Sequence, residues 1–224
     1  MADSGAMAAE VAERMLAAAG DALKRRGRFV VVLAGGNTPR GVYETLRVAK
    51  ADWSRWHVWF GDERCVPADD PERNSLMAGA AWLDHVPIPD SQVHAMPAER
   101  GPVAAAKAYA VSLEPVGEFD LVLLGLGEDG HTGSLFPGHE LGQGAHAPST
   151  LAVHDAPKPP PERVTLSAHR FSRAREVFFL VAGEGKREAV RRWRAGEDIP
   201  ARAITPKAGV DVFTEAALLS SARG

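Results

Sequence analysis

Short runs that are apolar at every position alternate along this chain with longer stretches whose apolar residues recur at helical spacing. VVVL within RFVVVLAGG, LVLL within FDLVLLG and VFFLV within EVFFLVAG are apolar on both faces. Strands buried on both sides of a parallel sheet read this way, whereas half-exposed antiparallel strands alternate. RWHVWFGDER reads as a further strand, and VDVFTEAALLSSA as a short strand with a closing helix. TPRGVYETLRVA, the segment from Pro71 to about Leu83, VAAAKAYAVSL and KREAVRRWRAG read as helices, the last ended by Gly196. Met7, Val11, Met15 and Ala18 place an amphipathic helix at the N-terminus. The alternation predicts an α/β fold: one domain over residues 1–224, with a mostly parallel central sheet flanked by helices.

Composition narrows the function classes. A formal net charge of −3 lacks the concentrated basic excess of a nucleic-acid-binding surface, so an anionic ligand must be met by a few local Lys and Arg. The single cysteine, Cys65, forbids an internal disulfide and fits a reducing compartment. The N-terminus carries Glu10, Glu13 and Arg14, without the basic start and unbroken apolar core of a signal peptide, and no run has transmembrane length. The expectation is a cytoplasmic protein that touches neither membrane nor nucleic acid.

Ligands of open parallel sheets bind outside the carboxyl ends of the strands, and four strand ends here carry polar or glycine-rich chemistry. In LAGGNTPRGVYETL, Thr38 is placed as a helix N-cap and Pro39 at the first helical position, while Gly35 and Gly36 let the backbone approach a ligand. Such a turn is either an anion site or a plain strand-to-helix connection. In WFGDERCVP, Asp62 and Glu63 are placed to position Arg64, whose guanidinium fork suits a phosphate; the alternative is a solvated ion pair. Cys65 beside it reads as a small apolar residue rather than a nucleophile. In VAGEGKREAV, Lys186 offers a point charge near a helix start, and Lys158 and Arg163 flank the proline run of APKPPPER.

The fourth end, FDLVLLGLGEDGHTGSLFPG, holds Gly125, Gly127 and Gly130 in a literal G-x-G-x-x-G. A dinucleotide fingerprint needs a helix straight after the third glycine. Here Gly133, Pro137, Gly138, Gly142 and Gly144 leave no room for one. The glycines instead turn the chain sharply and present Glu128, Asp129 and His131 at the strand's end. His131 has the chemistry of a base near neutral pH, with an ordinary pKa of about 6.5; its alternative is a histidine that caps a turn. His131, His139, His146 and His154 match no zinc spacing, so no metal is expected. Residues 136–163 form the most loop-like part of the chain, either a functional loop or a surface excursion.

Taken together and in order, LAGGNTPRGVYETL, WFGDERCVPADDPERNS, FDLVLLGLGEDGHTGSLFPG, PKPPPERVTL and VFFLVAGEGKREAV resemble the 6-phosphogluconolactonases. The resemblance runs from about residue 28 to 195, with a looser match beyond. It implies a modified Rossmann-like domain, shared with glucosamine-6-phosphate deaminases, and hydrolysis of 6-phospho-glucono-1,5-lactone without metal or cofactor. It also implies His131 as general base, with Asp62 or Asp129 orienting the imidazole. Substrate contacts would come from Gly35, Gly36, Asn37, Thr38, Arg64, Gly130, Lys158, Arg163 and Lys186. Asn37 stands where the family usually has serine. A deaminase-like aldose–ketose isomerase is the near rival, although its loops read DEY and DGHIAFNEP. A non-catalytic sugar-phosphate sensor is the distant one. No long apolar surface stripe stands out, so a monomer is expected.

Overall fold

A computed structural model gives the fold of residues 3–220. Helix α1 (Ser4–Arg26) opens on Asp3, whose carboxylate accepts from the Ala6 N–H at 2.8 Å, and closes on Gly27 in the left-handed region. Lys24, Arg25 and Arg26 in its last turn complement the helix dipole. Met7, Val11 and Met15 are buried with four alanines, and Ala18 sits half-buried beside them.

The apolar runs become strands β1 (Phe29–Leu33), β2 (Trp56–Phe60), β4 (Val93–His94), β5 (Phe119–Gly125), β8 (Ala174–Val181) and β9 (Asp211–Thr214). They form one sheet in the order β4-β2-β1-β5-β8-β9, and every pairing is parallel. The chain builds outward from β1 to β2 and β4, then returns to β5 and builds the other way. The crevice outside the carboxyl ends of β1 and β5 is therefore the topological switch point. Around the sheet lie α2 (Asn37–Leu46), α3 (Asn74–Ala81), α4 (Pro102–Leu113), α5 (Ala168–Ser172), α6 (Arg187–Arg194) and α7 (Ala216–Leu219).

Several elements differ from the sequence reading. RWHVWFGDER is two strands in two sheets, because the chain changes partner at Gly61. The Gly61 N–H donates to Leu33 O at 2.9 Å, while its carbonyl accepts from Leu166 at 2.8 Å. Beyond it, β3 (Asp62–Arg64) joins β7 (Arg163–Leu166) and β6 (Thr150–Val153) in a small antiparallel sheet, order β3-β7-β6. The stretch from 136 to 163 thus contains a strand. The helix expected from Pro71 begins only at Asn74, since the Asp70 carboxylate and carbonyl accept the N–H groups of Glu72 and Arg73 in a turn. Thr38 is not a cap: α2 starts at Asn37 after Gly36, which has φ of 102° and provides no side-chain cap. The closing helix ends at Leu219, and the remainder of its predicted span, from 221, lies outside the described residues.

The junction of β3 and α3 is built on a buried ion pair. Glu63 is wholly buried, and one carboxylate oxygen accepts the N–H groups of Arg64 (3.0 Å) and Asn74 (2.7 Å). The other accepts from Ser75 at 2.9 Å and lies 3.4 Å from Arg73 Nε. Glu63 thereby caps α3 from a neighbouring strand. Arg73, also buried, further donates to Met96 O and Val66 O. Removing one member of a buried pair strands the other charge. Glu63→Ala is expected to cost about 3–5 kcal/mol in urea unfolding, whereas Arg40→Ala, at an exposed pair with Glu44, changes stability by under ~1 kcal/mol.

Candidate active site

The switch-point crevice is a cleft of about 480 Å³. Its first wall follows β1: Gly35, Gly36, Asn37 and Thr38 border it, and the first turn of α2 faces it with no side chain as cap. An uncapped helix start presents free N–H groups and the positive end of the dipole, the requirements of an anion site. The second wall is β3 and the start of α3, with Asp62, Arg64 and Asn74. The third is the turn after β5, with Gly127 and His131. Lys158, Arg163 and Lys186 complete the rim.

Of the twelve residues expected to act on the substrate, ten thus border one cleft. Asp129 stands behind His131, not on the cleft surface. Gly130 points elsewhere: a Cβ there would lie 2.7 Å from Ile199, its N–H is spent on Gly127 O at 3.0 Å, and its carbonyl accepts from Ala201. It shapes the turn, with φ of 90°, and is not among the residues that border the cleft.

His131 is held on three sides. Its Nδ1 lies 2.5 Å from Asp129 Oδ1, and its backbone N–H donates to the same oxygen at 3.1 Å. The ring packs on Phe136 with centroids 4.7 Å apart. Gly127 seats it from below, since a Cβ at that position would fall 2.0 Å from Nδ1. With Nδ1–H directed at a carboxylate, the tautomer is set and Nε2 is left as the acceptor. Burial pulls the imidazole below its ordinary pKa, and the Asp129 charge and hydrogen bond oppose that only in part. Burial pushes Asp129 up, yet the backbone N–H, charge and ring of His131 outweigh it and hold the carboxyl below the usual range. The pair is therefore a neutral ring on an ionised carboxylate near neutral pH.

Asp62 does not touch the imidazole. Its Oδ2 accepts from Ser134 Oγ at 2.6 Å and its Oδ1 from Asn74 Nδ2 at 3.2 Å. The orienting contact on His131 comes from Asp129, a choice that sequence spacing leaves open. The four cations are held differently. Arg64 donates through Nη1 to Glu72 O, and its Nε is buried without a partner. Arg163 is tied to the carbonyls of Lys158, Pro159 and Pro160, and burial lowers its pKa. Lys158 lies 3.7 Å from Glu128, and Lys186 is pulled below its ordinary value by burial. Burial also pushes the Cys65 thiol up to about 11, which leaves it protonated and a poor nucleophile at neutral pH.

Sequence reasoning gave no task to Asn74, to Gly127 as the seat of the ring, or to Ser134. Asn74 lies in the stretch WFGDERCVPADDPERNS, inside the helix expected from Pro71, but a contact with Gly35 across 39 positions leaves no trace in local pattern.

Comparison with known proteins agrees with this architecture. Residues 2–213 match the family described as glucosamine-6-phosphate isomerases/6-phosphogluconolactonase. The chain is 40% identical over 217 residues to the 6-phosphogluconolactonase of Mycobacterium tuberculosis, covering 88% of this chain and 85% of that protein. It is 42% identical over 206 residues to that of Streptomyces coelicolor, covering 84% and 78%. Among solved structures, 6-phosphogluconolactonase from Thermotoga maritima superposes with a TM-score of 0.88 at 27% identity, covering 96% of this chain and 97% of that one. That of Trypanosoma brucei gives 0.86 at 26%, covering 97% and 95%. The match spans nearly every element that borders the cleft, and the chain belongs to the glucosamine-6-phosphate isomerase/6-phosphogluconolactonase family.

Proposed function

We propose that this protein hydrolyses 6-phospho-D-glucono-1,5-lactone to 6-phospho-D-gluconate, with His131 as the general base. The observation that carries the proposal is the pairing of His131 with Asp129 at 2.5 Å on the wall of a cation-rimmed cleft. The names of the relatives support the substrate. The chemistry also fits, because a lactone carbonyl is electrophilic enough to be attacked by an activated water.

In this reading Nε2 of His131 takes a proton from water as its oxygen attacks C1. The tetrahedral oxyanion collapses with cleavage of the bond between C1 and the ring oxygen. The imidazolium, stabilised by Asp129, returns its proton to that departing oxygen, and the new carboxylic acid loses its own proton to solvent. The N–H groups of Gly127 and Gly130 are spent inside their loop on His131 O and Gly127 O, so neither of these two is free to meet the oxyanion. Arg64, the start of α2 and the rim lysines hold the substrate's phosphate, and Asn37 takes the place of the family's usual serine.

The neutral imidazole is the active form. Because burial depresses its pKa, kcat/KM falls only as pH drops through a value below the ordinary ~6.5. A limb centred above that value would contradict the assignment. His131→Ala is expected to lose ~10²–10⁴ of the rate while still binding 6-phosphogluconate; turnover at the wild-type level above spontaneous opening would overturn it. Asp129→Asn removes the group that raises the imidazole pKa, so the acid limb moves further down as the rate falls. A purely structural aspartate would lower the rate without moving the limb.

Arg64→Ala is expected to raise KM for the phosphorylated lactone by ~10-fold or more, in line with the ~1.5–3 kcal/mol of a charge-assisted hydrogen bond, and to leave unphosphorylated gluconolactone little affected. If the wild type handles both lactones with equal kcat/KM, the phosphate reading is wrong.

A further inference from the structure

Two adjacent glycines end the first loop for different reasons. Gly36 has φ of 102° and open space around its missing Cβ, so the backbone conformation demands it. Gly35 is not in the left-handed region. There a Cβ would meet the side chain of Asn74, 2.0 Å from Oδ1 and 2.4 Å from Cγ. The carboxamide of Asn74 therefore occupies the place that a side chain at position 35 would take.

Asn74 is almost wholly buried and is tied on its other side. Nδ2 donates to Asp62 O at 3.0 Å and to Asp62 Oδ1 at 3.2 Å, and its backbone N–H ends on the buried Glu63. One amide thus links the loop that follows β1 to the strand that carries Arg64. β1 and β3 belong to separate sheets.

We infer that Asn74 is a positioning residue: packed over Gly35 and tethered to Asp62, it sets the separation between the first turn of α2 and Arg64. The inference rests on the reading above, in which those two groups face one phosphate. The size match between Gly35 and Asn74 makes it testable, because loss of the carboxamide opens room for a methyl group at position 35. Contacting residues of this kind depart from additivity.

The experiment compares wild type, Gly35→Ala, Asn74→Ala and the double variant. Calorimetry gives the affinity for 6-phosphogluconate, kinetics with the phosphorylated lactone give kcat and KM, and melting gives Tm. Asn74→Ala is expected to raise KM and Kd together by about tenfold, the equivalent of ~1.4 kcal/mol, with kcat within about threefold. Gly35→Ala alone is expected to weaken binding by more than that, and the double variant to return to the level of Asn74→Ala. Strictly multiplicative losses, or wild-type affinity in Gly35→Ala, would overturn the inference. If Gly35→Ala does not fold, a folded double variant supports the coupling and an unfolded one overturns it. A wild type that binds no 6-phosphogluconate sinks the functional reading and its anion half of this inference. The coupling in Tm then still reports whether the two residues share one space.

Discussion

A carboxylate with no access to water organises the cleft. Glu63 gathers three backbone N–H groups and the Arg73 guanidinium around its two oxygens. A charge so placed is tolerated only when its lone pairs are met and its partner is close. The geometry that meets them leaves little freedom: β3, the turn after it and the first residues of α3 must all converge on one point. Arg64 and Asn74, both on the cleft wall, are held by Glu63 through their backbone N–H groups, and Asp62, also on the wall, is its neighbour in the chain. The cost of burying that ion is thus tied to the arrangement of a surface one residue away.

The rim works by contrast of sign. Arg64, Lys158, Arg163 and Lys186 surround a cleft whose wall carries an imidazole kept neutral by burial. A protonated ring among those cations would add repulsion to the loss of hydration, and Lys158 already acts to lower its pKa. Asp129 opposes that shift, and its contact with Nδ1 fixes the ring's tautomer. Gly127 contributes by absence: any larger residue would push the ring from its seat. Two of the three glycines of the G-x-G-x-x-G string therefore serve the histidine and its turn, not a dinucleotide.

The central sheet was legible because burial on both faces leaves an unmistakable apolar run, as in Leu121–Leu124 and Phe178–Val181. The small sheet was not. Its strands have three or four residues, one of them is the charged Asp62-Glu63-Arg64, and the pairing of that one depends on a partner about a hundred positions away. Thr38 looked like a cap by residue type, but the positive φ of Gly36 starts the helix two residues early. The gathering of charged and glycine-rich strand ends followed from the rule for open parallel sheets. The division between Asp129 and Asp62 did not, because both lie at strand ends and only the course of the backbone decides which reaches the ring.

The strand ends themselves are closed by phenols. At the end of β1 the Tyr43 hydroxyl donates to Ala34 O and accepts from its N–H; at the ends of β2 and β4, the hydroxyl of Tyr109 on α4 accepts from Phe60 N–H and reaches Phe60 O and His94 O. Burial pushes the pKa of both far above the usual phenol range. They act as surrogate peptide groups at the points where the ladder would otherwise run on, freeing the chain to splay apart. Since the protein has only these two tyrosines, its whole stock of phenolic oxygen is committed to stopping strands, and the appearance of phenolate absorbance becomes a signal of the sheet coming open.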